Sequence, residues 1–207
     1  MAKPIVYLDF DGVINQITGL RIPRTPTGDE YPIDSVKTAV IPDWGRIRVR
    51  WNGMLAARLY GLADRCDVSW LSTWQPFTSE LYRLLDWSPA KVKTIEWYDP
   101  DSRRGIWTGK LDHVLDTIRT GNETSDLRPI VWVDDEECDW KAEQRIRELE
   151  PRMRVLMVRP DSRIGLNRRQ MDLIERFVAD PLSFDGQVKR DVEPSSAQLD
   201  PDSHLGF

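Results

Sequence analysis

The chain is expected to fold as an α/β protein, a three-layer sandwich with a mainly parallel sheet and a small β-hairpin inserted after the first strand. Three observations carry this expectation. Short apolar runs rich in β-branched residues alternate with segments whose apolar residues recur at helical spacing, the pattern of strands covered on both faces and joined by crossover helices. Each of the first three runs ends abruptly in acids or hydroxyls. One stretch, residues 44–51, instead alternates strictly between apolar and polar positions, as a half-exposed strand does.

In order, Pro4-Ile5-Val6-Tyr7-Leu8 reads as the first strand and stops at Asp9-Phe10-Asp11-Gly12-Val13. In an open parallel sheet, ligands bind outside the carboxyl ends of the strands, so Asp9 is expected at a site. Residues two apart on an extended chain point to one side, which brings Asp9 and Asp11 together and turns Phe10 away. Gly12 then lets the backbone leave the strand. Two carboxylates this close repel one another unless a cation lies between them or one is protonated. A hard divalent ion such as Mg²⁺ would satisfy the pair, leaving one Asp to hold the ion and attack an electrophile while the other transfers protons. Taken alone, Asp-x-Asp-Gly is equally a plain turn sequence.

Residues 16–51 are dense in Pro, Gly and Thr, too long for a simple connection, and are expected to form a lid or flap. Within them, Thr38-Ala39-Val40-Ile41 and residues 44–51 predict a hairpin turning at Asp43 to Gly45. Arg46, Arg48 and Arg50 share one face, and Ile47, Val49 and Trp51 the other. The arginine row suits an anionic substrate under a lid, and it equally suits a solvated outer face.

Leu55, Leu59 and Leu62 predict a helix capped by Asn52. Cys66 to Leu71 reads as a second strand ending in Ser72-Thr73-Trp74, and a helix marked by Leu81, Leu84 and Leu85 closes at Ser88-Pro89. Val92 to Trp97 offers a further short strand. Leu111, Val114, Leu115 and Ile118 form one helical stripe beginning near Gly109-Lys110. A lysine at a helix N-terminus opposes the helix dipole, so Lys110 is expected to serve something beyond the helix. Lys93 is a weaker rival, because nothing places it at a helix start. Ile130 to Val133 is the third strand and runs into Asp134-Asp135-Glu136-Glu137. A helix with Trp140, Ile146 and Leu149, a strand at Val155 to Val158 and a helix with Met171, Ile174, Phe177 and Val178 follow. Residues 1–180 are therefore expected to form one domain, with 16–51 inserted, and 181–207 a flexible tail.

Composition bounds the function. With 207 residues, 40% hydrophobic and 30% charged, the chain suits one globular domain. Its apolar runs fall short of the roughly 20 residues of a membrane span. The opening residues run straight into the strand without a secretory leader, so a cytoplasmic setting is expected. Cys66 and Cys138 lie far apart without metal-ligand spacing and are expected to be structural. A net charge of −5 lacks the overall basic footprint of a nucleic-acid binder, although a local basic patch fits. Nine tryptophans are many for this length, and several flank the acids, where they can stack on a ring or base.

Right-handed crossovers put every strand's carboxyl end on one rim. That rim then gathers Asp9 and Asp11, Ser72 and Thr73, Lys110, and Asp134 and Asp135. The order Leu8-Asp9-Phe10-Asp11-Gly12-Val13, a strand-ending serine, a lysine and Val131-Trp132-Val133-Asp134-Asp135 resembles the haloacid dehalogenase (HAD) superfamily of phosphohydrolases over roughly residues 4–160. Trp70-Leu71-Ser72-Thr73-Trp74, Lys110-Leu111 and Gly165-Leu166 before a helix resemble, within it, small uncharacterised HAD-like proteins of actinobacteria and their phages. The resemblance implies a Rossmann-like fold and a Mg²⁺-dependent phosphomonoesterase working through an aspartyl phosphate. In that scheme Asp9 is the nucleophile and Asp11 the proton donor and then the base. Ser72 or Thr73 binds the phosphoryl group, and Lys110 neutralises charge. Mg²⁺ is held by Asp9, the Asp11 backbone carbonyl and Asp134 or Asp135. Arg46, Arg48, Arg50, Thr73 and Trp74 are expected to contact substrate, either a small phosphorylated metabolite or nucleotide, or the 3′-phosphate end of a polynucleotide. Two other classes were weighed: a signalling receiver domain, whose paired acids would follow the first strand and not the third, and an inert binding protein, which would be expected to have lost Asp9 or Asp11.

Overall fold

The computed structural model describes residues 2–17, 28–42, 45–99, 109–184 and 187–193. Val6 and Leu8 are fully buried and Tyr7 nearly so, which fits a strand covered on both faces. This strand, β1 (Ile5–Leu8), lies inside a six-stranded sheet. The chain then makes a hairpin of β2 (Ser35–Ile41) and β3 (Gly45–Trp51), followed by α1 (Gly53–Gly61), β4 (Asp67–Trp70), α2 (Thr78–Leu85) and β5 (Val92–Thr94). It continues through α3 (Gly109–Glu123), β6 (Ile130–Val133), α4 (Trp140–Leu149), β7 (Val155–Arg159), α5 (Arg168–Ala179) and β8 (Val188–Val192). The sheet order is β5-β4-β1-β6-β7-β8, with every pair parallel. From β1 the chain builds outward on one side to β5, then returns to β6 and builds outward on the other. The crevice where this direction reverses is where open α/β sheets place ligands.

Side-chain alternation sorts the core into two layers. Val6, Leu8, Val131 and Val133 pack with α1, α2, α5 and the hairpin's inner residues Ala39, Ile41, Val49 and Trp51. Tyr7, Ile130 and Trp132 pack with α3 and α4 through Val114, Leu115, Ile118, Ala142 and Ile146. Asp9 and Asp134 continue the parity of Tyr7 and Trp132, toward α3. Leu8 is in register with both Trp70 and Val133, so β1, β4 and β6 end level. Asp9, Leu71 and Asp134 therefore leave the sheet side by side.

The hairpin matches the alternation read from the sequence. Val49 and Trp51 are buried, whereas Arg46 and Arg48 are exposed and Arg50 is half-buried. Its inner face belongs to the main core, and Lys37 Nζ donates to the Leu84 carbonyl at the end of α2 (2.8 Å). Asp43 and Trp44, in the expected turn, lie outside the described residues. Asn52 caps α1 by accepting from the Leu55 amide (3.1 Å), as its position predicts.

The expectation of an unstructured stretch from 181 onward requires correction. Residues 188–192 form β8, the sixth strand, parallel to β7. Its sequence, Val-Lys-Arg-Asp-Val, hides this because edge strands carry charges, and these are paired: Arg190 with Glu143 (2.9 Å) and Asp191 with Arg169 (2.6 Å). Phe184 packs edge-on against Phe177 of α5. Residues 194–207 lie outside the described residues. Cys66 and Cys138 are buried free thiols. Among the described residues, no helix is long and apolar enough to cross a membrane.

Candidate functional site

Three acids leave the sheet into one small volume. Asp9, Asp134 and Asp135 each offer a carboxylate oxygen, and these oxygens lie within 4.8 Å of one another. Lys110, on the first turn of α3, reaches between two of them, donating to Asp9 Oδ2 at 2.5 Å and to Asp134 Oδ2 at 2.7 Å. All three of these groups are buried, Asp9 and Lys110 keeping a small exposed fraction: Asp9, Lys110 and Asp134 are 6%, 4% and 0% exposed. The lysine that gains nothing from its own helix dipole thus sits against two buried carboxylates. The sequence-based expectation for its position rests on that same conflict.

Backbone geometry fixes the acids further. Asp9 Oδ1 accepts from the Phe10 amide (2.6 Å), and Asp134 Oδ1 from the Glu136 and Glu137 amides (2.9 and 2.6 Å), the usual turn made by an Asp side chain. Glu137 returns its carboxylate to the Leu111 amide (3.1 Å), so the loop after β6 caps the first turn of α3 and fixes the helix that carries Lys110. Gly109 allows this docking, since a Cβ there would lie 2.5 Å from the Trp97 ring. Neither the Glu137 cap nor this contact was foreseen from sequence.

Ser72 is almost fully buried, its hydroxyl accepts from the Trp74 amide (3.3 Å), and it lies near enough to Asp9 to favour that carboxylate's charged form. Thr73 is half-exposed and offers its carbonyl to the Tyr98 hydroxyl (2.9 Å). Of the two hydroxyls, Ser72 is the one that joins the cluster. Asp11 stands outside the three-acid group. Its Oδ1 accepts from Asn15 Nδ2 (2.6 Å) and its Oδ2 from Trp74 Nε1 (2.8 Å). Trp74 has no exposed surface and packs edge-on against Phe10, so it holds Asp11 and offers no free ring face for stacking. Arg46 and Arg48 are exposed on the outer face of the hairpin, and Lys93 is exposed on β5.

Gly12 turns the chain just after Asp11 and packs against Asp135. Its φ is +68°, a region that favours glycine, and a Cβ would fall 2.1 Å from Asp135 Oδ2. Gly12→Ala is expected to cost about 2–3 kcal/mol and to push Asp135 out of the group. Chemical denaturation and calorimetric Mg²⁺ titration check this; a variant with wild-type stability and Mg²⁺ affinity would refute it.

The electrostatics are those of a crowded acid site. Burial pushes the Asp9 carboxyl up to about 6, against the Lys110 charge, with Asp134 adding to the rise. Burial pushes Asp135 up to about 9, helped by the Asp134 and Asp9 charges, and Glu137 up to about 8, helped by Asp134. For Lys110, burial favours the neutral form, but Asp134 and Asp9 outweigh it and hold the ammonium above the usual lysine range. The donor set is hard oxygen and anionic, and Asp9, Asp134 and Asp135 could hold a metal ion.

A pH dependence follows. Each of the three carboxyls binds its proton more tightly in the folded chain than at the unfolded value of about 4. Their contribution is therefore complete below about pH 4 and is lost as pH rises through about 6 for Asp9, 8 for Glu137 and 9 for Asp135. Metal-free protein is expected to melt at falling temperature between about pH 5 and pH 9, and added Mg²⁺ to raise the melting temperature more at the alkaline end, where the carboxylates are free of protons. Thermal scans with and without Mg²⁺ decide it; a flat or rising metal-free profile would contradict the expectation.

No family model matches the chain, and no curated protein or solved structure matches it. The parallel sheet, the hairpin inserted after β1 and the buried acidic group stand on the chain's own residues.

Proposed function

We propose that the chain is a Mg²⁺-dependent phosphomonoester hydrolase of the HAD type, acting through an aspartyl phosphate. The observation that carries this reading is Lys110 lodged between Asp9 and Asp134, beside Asp135, at the carboxyl ends of the central strands. Phosphoryl transfer asks little covalent chemistry of a protein beyond a nucleophile in line, fixed donors and positive charge around the equatorial oxygens. In this reading Asp9 supplies the nucleophile, Ser72 and Lys110 the donors, and Lys110 with a bound cation the positive charge.

Asp9 attacks phosphorus through a carboxylate oxygen, and the bond from phosphorus to the ester oxygen breaks. Asp11 gives its proton to that departing oxygen. Asp11 then takes a proton from water as the water attacks phosphorus, the bond to Asp9 breaks, and inorganic phosphate leaves. Ser72 and Lys110 hydrogen-bond the phosphoryl oxygens. Asp9, Asp134 and Asp135, with the Asp11 carbonyl, would hold Mg²⁺, which supplies neutralising charge so that a carboxylate can approach a phosphate dianion. The organic part of the substrate has room in a cleft of about 790 Å³ lined by Gln75, Thr78, Thr94, Trp97 and Tyr98; Lys110 Nζ lies 6.0 Å from the Trp97 ring. Purified protein is expected to release phosphate from p-nitrophenyl phosphate in the presence of Mg²⁺ and to stop on addition of EDTA. No release from a broad panel of phosphomonoesters with Mg²⁺ or Mn²⁺ would overturn the reading.

A second substrate class is favoured by one observation. On the outer face of the hairpin, Arg46, Arg48 and Arg50 stand opposite Val40, Thr38 and Val36, and no carboxylate among the described residues pairs with them. Their spacing of two residues, about 6.8 Å per step, is close to the phosphate repeat of an extended single strand. Such a row suits a polynucleotide that presents its terminal phosphate to Asp9. With Arg46, Arg48 and Arg50 all changed to Glu, the ratio of kcat/KM for a 3′-phosphorylated oligonucleotide over a mononucleotide is expected to fall toward one. The salt slope for the oligonucleotide, about −2 if three phosphates are contacted, should vanish with it. An unchanged ratio would leave small molecules as the substrate class.

A further inference from the structure

Asp11 is held differently from the other acids at the strand ends. Both its oxygens accept a side-chain hydrogen bond, one from Trp74 Nε1 and one from Asn15 Nδ2. The two donors differ in what stands behind them. Trp74 is fully buried and braced by Phe10. Asn15 sits at the end of the tight turn after β1, its amide bonded to the Phe10 carbonyl (2.9 Å) and its own carbonyl accepting from Gly12 (2.9 Å). The other half of its side chain faces the hairpin, where Oδ1 accepts from the Arg50 amide at 2.8 Å. A backbone bond from the Gln16 amide to the Arg50 carbonyl (2.8 Å) holds the two segments in register.

We propose that Asn15 is a positioning residue that transmits the seating of the hairpin to Asp11. The inference rests on the reading of Asp11 as the group that protonates the leaving oxygen. A carboxylate with both oxygens taken up by side-chain donors is poorly placed to face a substrate, so one of its two bonds has to yield in turnover. The Trp74 bond is anchored in the core. The Asn15 bond ends on β3, whose outer face is open to solvent. An amide on a short stem meets both demands made at this position, a donor toward the Asp11 carboxylate and an acceptor toward a backbone N–H. Those two partners also fix which end of the amide is oxygen and which is nitrogen. Asp would lose the donor, and Gln would overreach by a methylene.

Two measurements on the full chain test the proposal. In metal-free protein, hydrogen exchange at the Arg50 amide is expected to speed up about tenfold in Asn15→Ala, and also in Asp11→Ala, which touches Arg50 only through Asn15. The amides of β6 report whether the fold is intact, and Asp11→Asn serves if Asp11→Ala fails that check. If both Asp11 variants leave the Arg50 amide as protected as in wild type, the coupling does not exist. In turnover, Asn15→Ala is expected to lower kcat/KM, which reads only the steps up to departure of the alcohol and not the later water attack common to both esters, by about 10- to 100-fold for an alkyl phosphate, whose leaving oxygen needs a proton, and by no more than about threefold for p-nitrophenyl phosphate. An equal fall for both esters would mean that Asn15 only supports the fold and would overturn the proposal. Should the wild type hydrolyse neither ester, the phosphatase reading fails, and the exchange measurement still decides whether Asn15 couples the hairpin to Asp11.

Discussion

Asp9→Asn is expected to lower Mg²⁺-dependent phosphate release by about 10⁴-fold or more while leaving the fold intact. The separation of the two effects follows from how Asp9 is held. An amide of the same shape keeps its oxygen for the Phe10 amide at the Oδ1 position, so the backbone after β1 is not disturbed. Lys110 loses one partner and retains Asp134. One buried negative charge is removed from a site where burial and the Asp134 charge already push the Asp9 carboxyl up to about 6, so the variant should melt at or slightly above the wild-type temperature in metal-free buffer. What it loses is the anionic oxygen proposed to form the bond to phosphorus. A steady-state assay with p-nitrophenyl phosphate, paired with a thermal scan, reads both. Activity within about tenfold of wild type would mean that no covalent bond to Asp9 is made, and the nucleophile assignment would be withdrawn. A chain that merely binds phosphorylated ligands would show no activity to lose.

The parts of this site that could be read from sequence are those in which strand chemistry and polarity conflict. An apolar run that breaks into acid advertises the end of a buried strand, and three such breaks, at Asp9, Ser72 and Asp134, turned out level because β1, β4 and β6 are in register. Lys110 was legible because it is misplaced with respect to its own helix. The parts that were not legible depend on turn geometry. Asn15 is an ordinary polar residue until the turn from Phe10 to Asn15 brings it under Asp11 and against Arg50. Glu137 looks like one more member of an acidic run until the Asp134 turn aims it at α3. Trp74 was expected to stack on substrate, because sequence cannot distinguish an exposed ring from a buried donor; its indole serves Asp11 instead. β8 escaped because its charges pair with Glu143 of α4 and Arg169 of α5 and leave no apolar run.

Lys110→Met should produce the largest loss of stability at this site, about 3–5 kcal/mol in metal-free protein near pH 8. Met keeps the length of the aliphatic stem, so the space is filled and the change is one of charge. The ammonium is the cation that Asp9 and Asp134 share at hydrogen-bond distance. Without it, two buried carboxylates face each other with Asp135 close by, and little solvent is at hand to share the cost. The chain then has to protonate, open, or find another cation. Protonation makes the loss depend on pH in a definite direction. As pH falls toward about 5 the Asp9 carboxyl, already raised to about 6 in the wild type, accepts a proton, and the penalty for the missing ammonium should shrink. Divalent metal provides the third route, so Mg²⁺ should recover more stability in Lys110→Met than in wild type, even though phosphate release stays low because the phosphoryl group has lost a donor. Urea unfolding at about pH 5.5 and pH 8.5, with and without Mg²⁺, resolves these contributions. Equal stability of variant and wild type at the higher pH without metal would mean that the acids are not the interacting group the geometry describes, and both the cation site and the chemistry built on it would fall together.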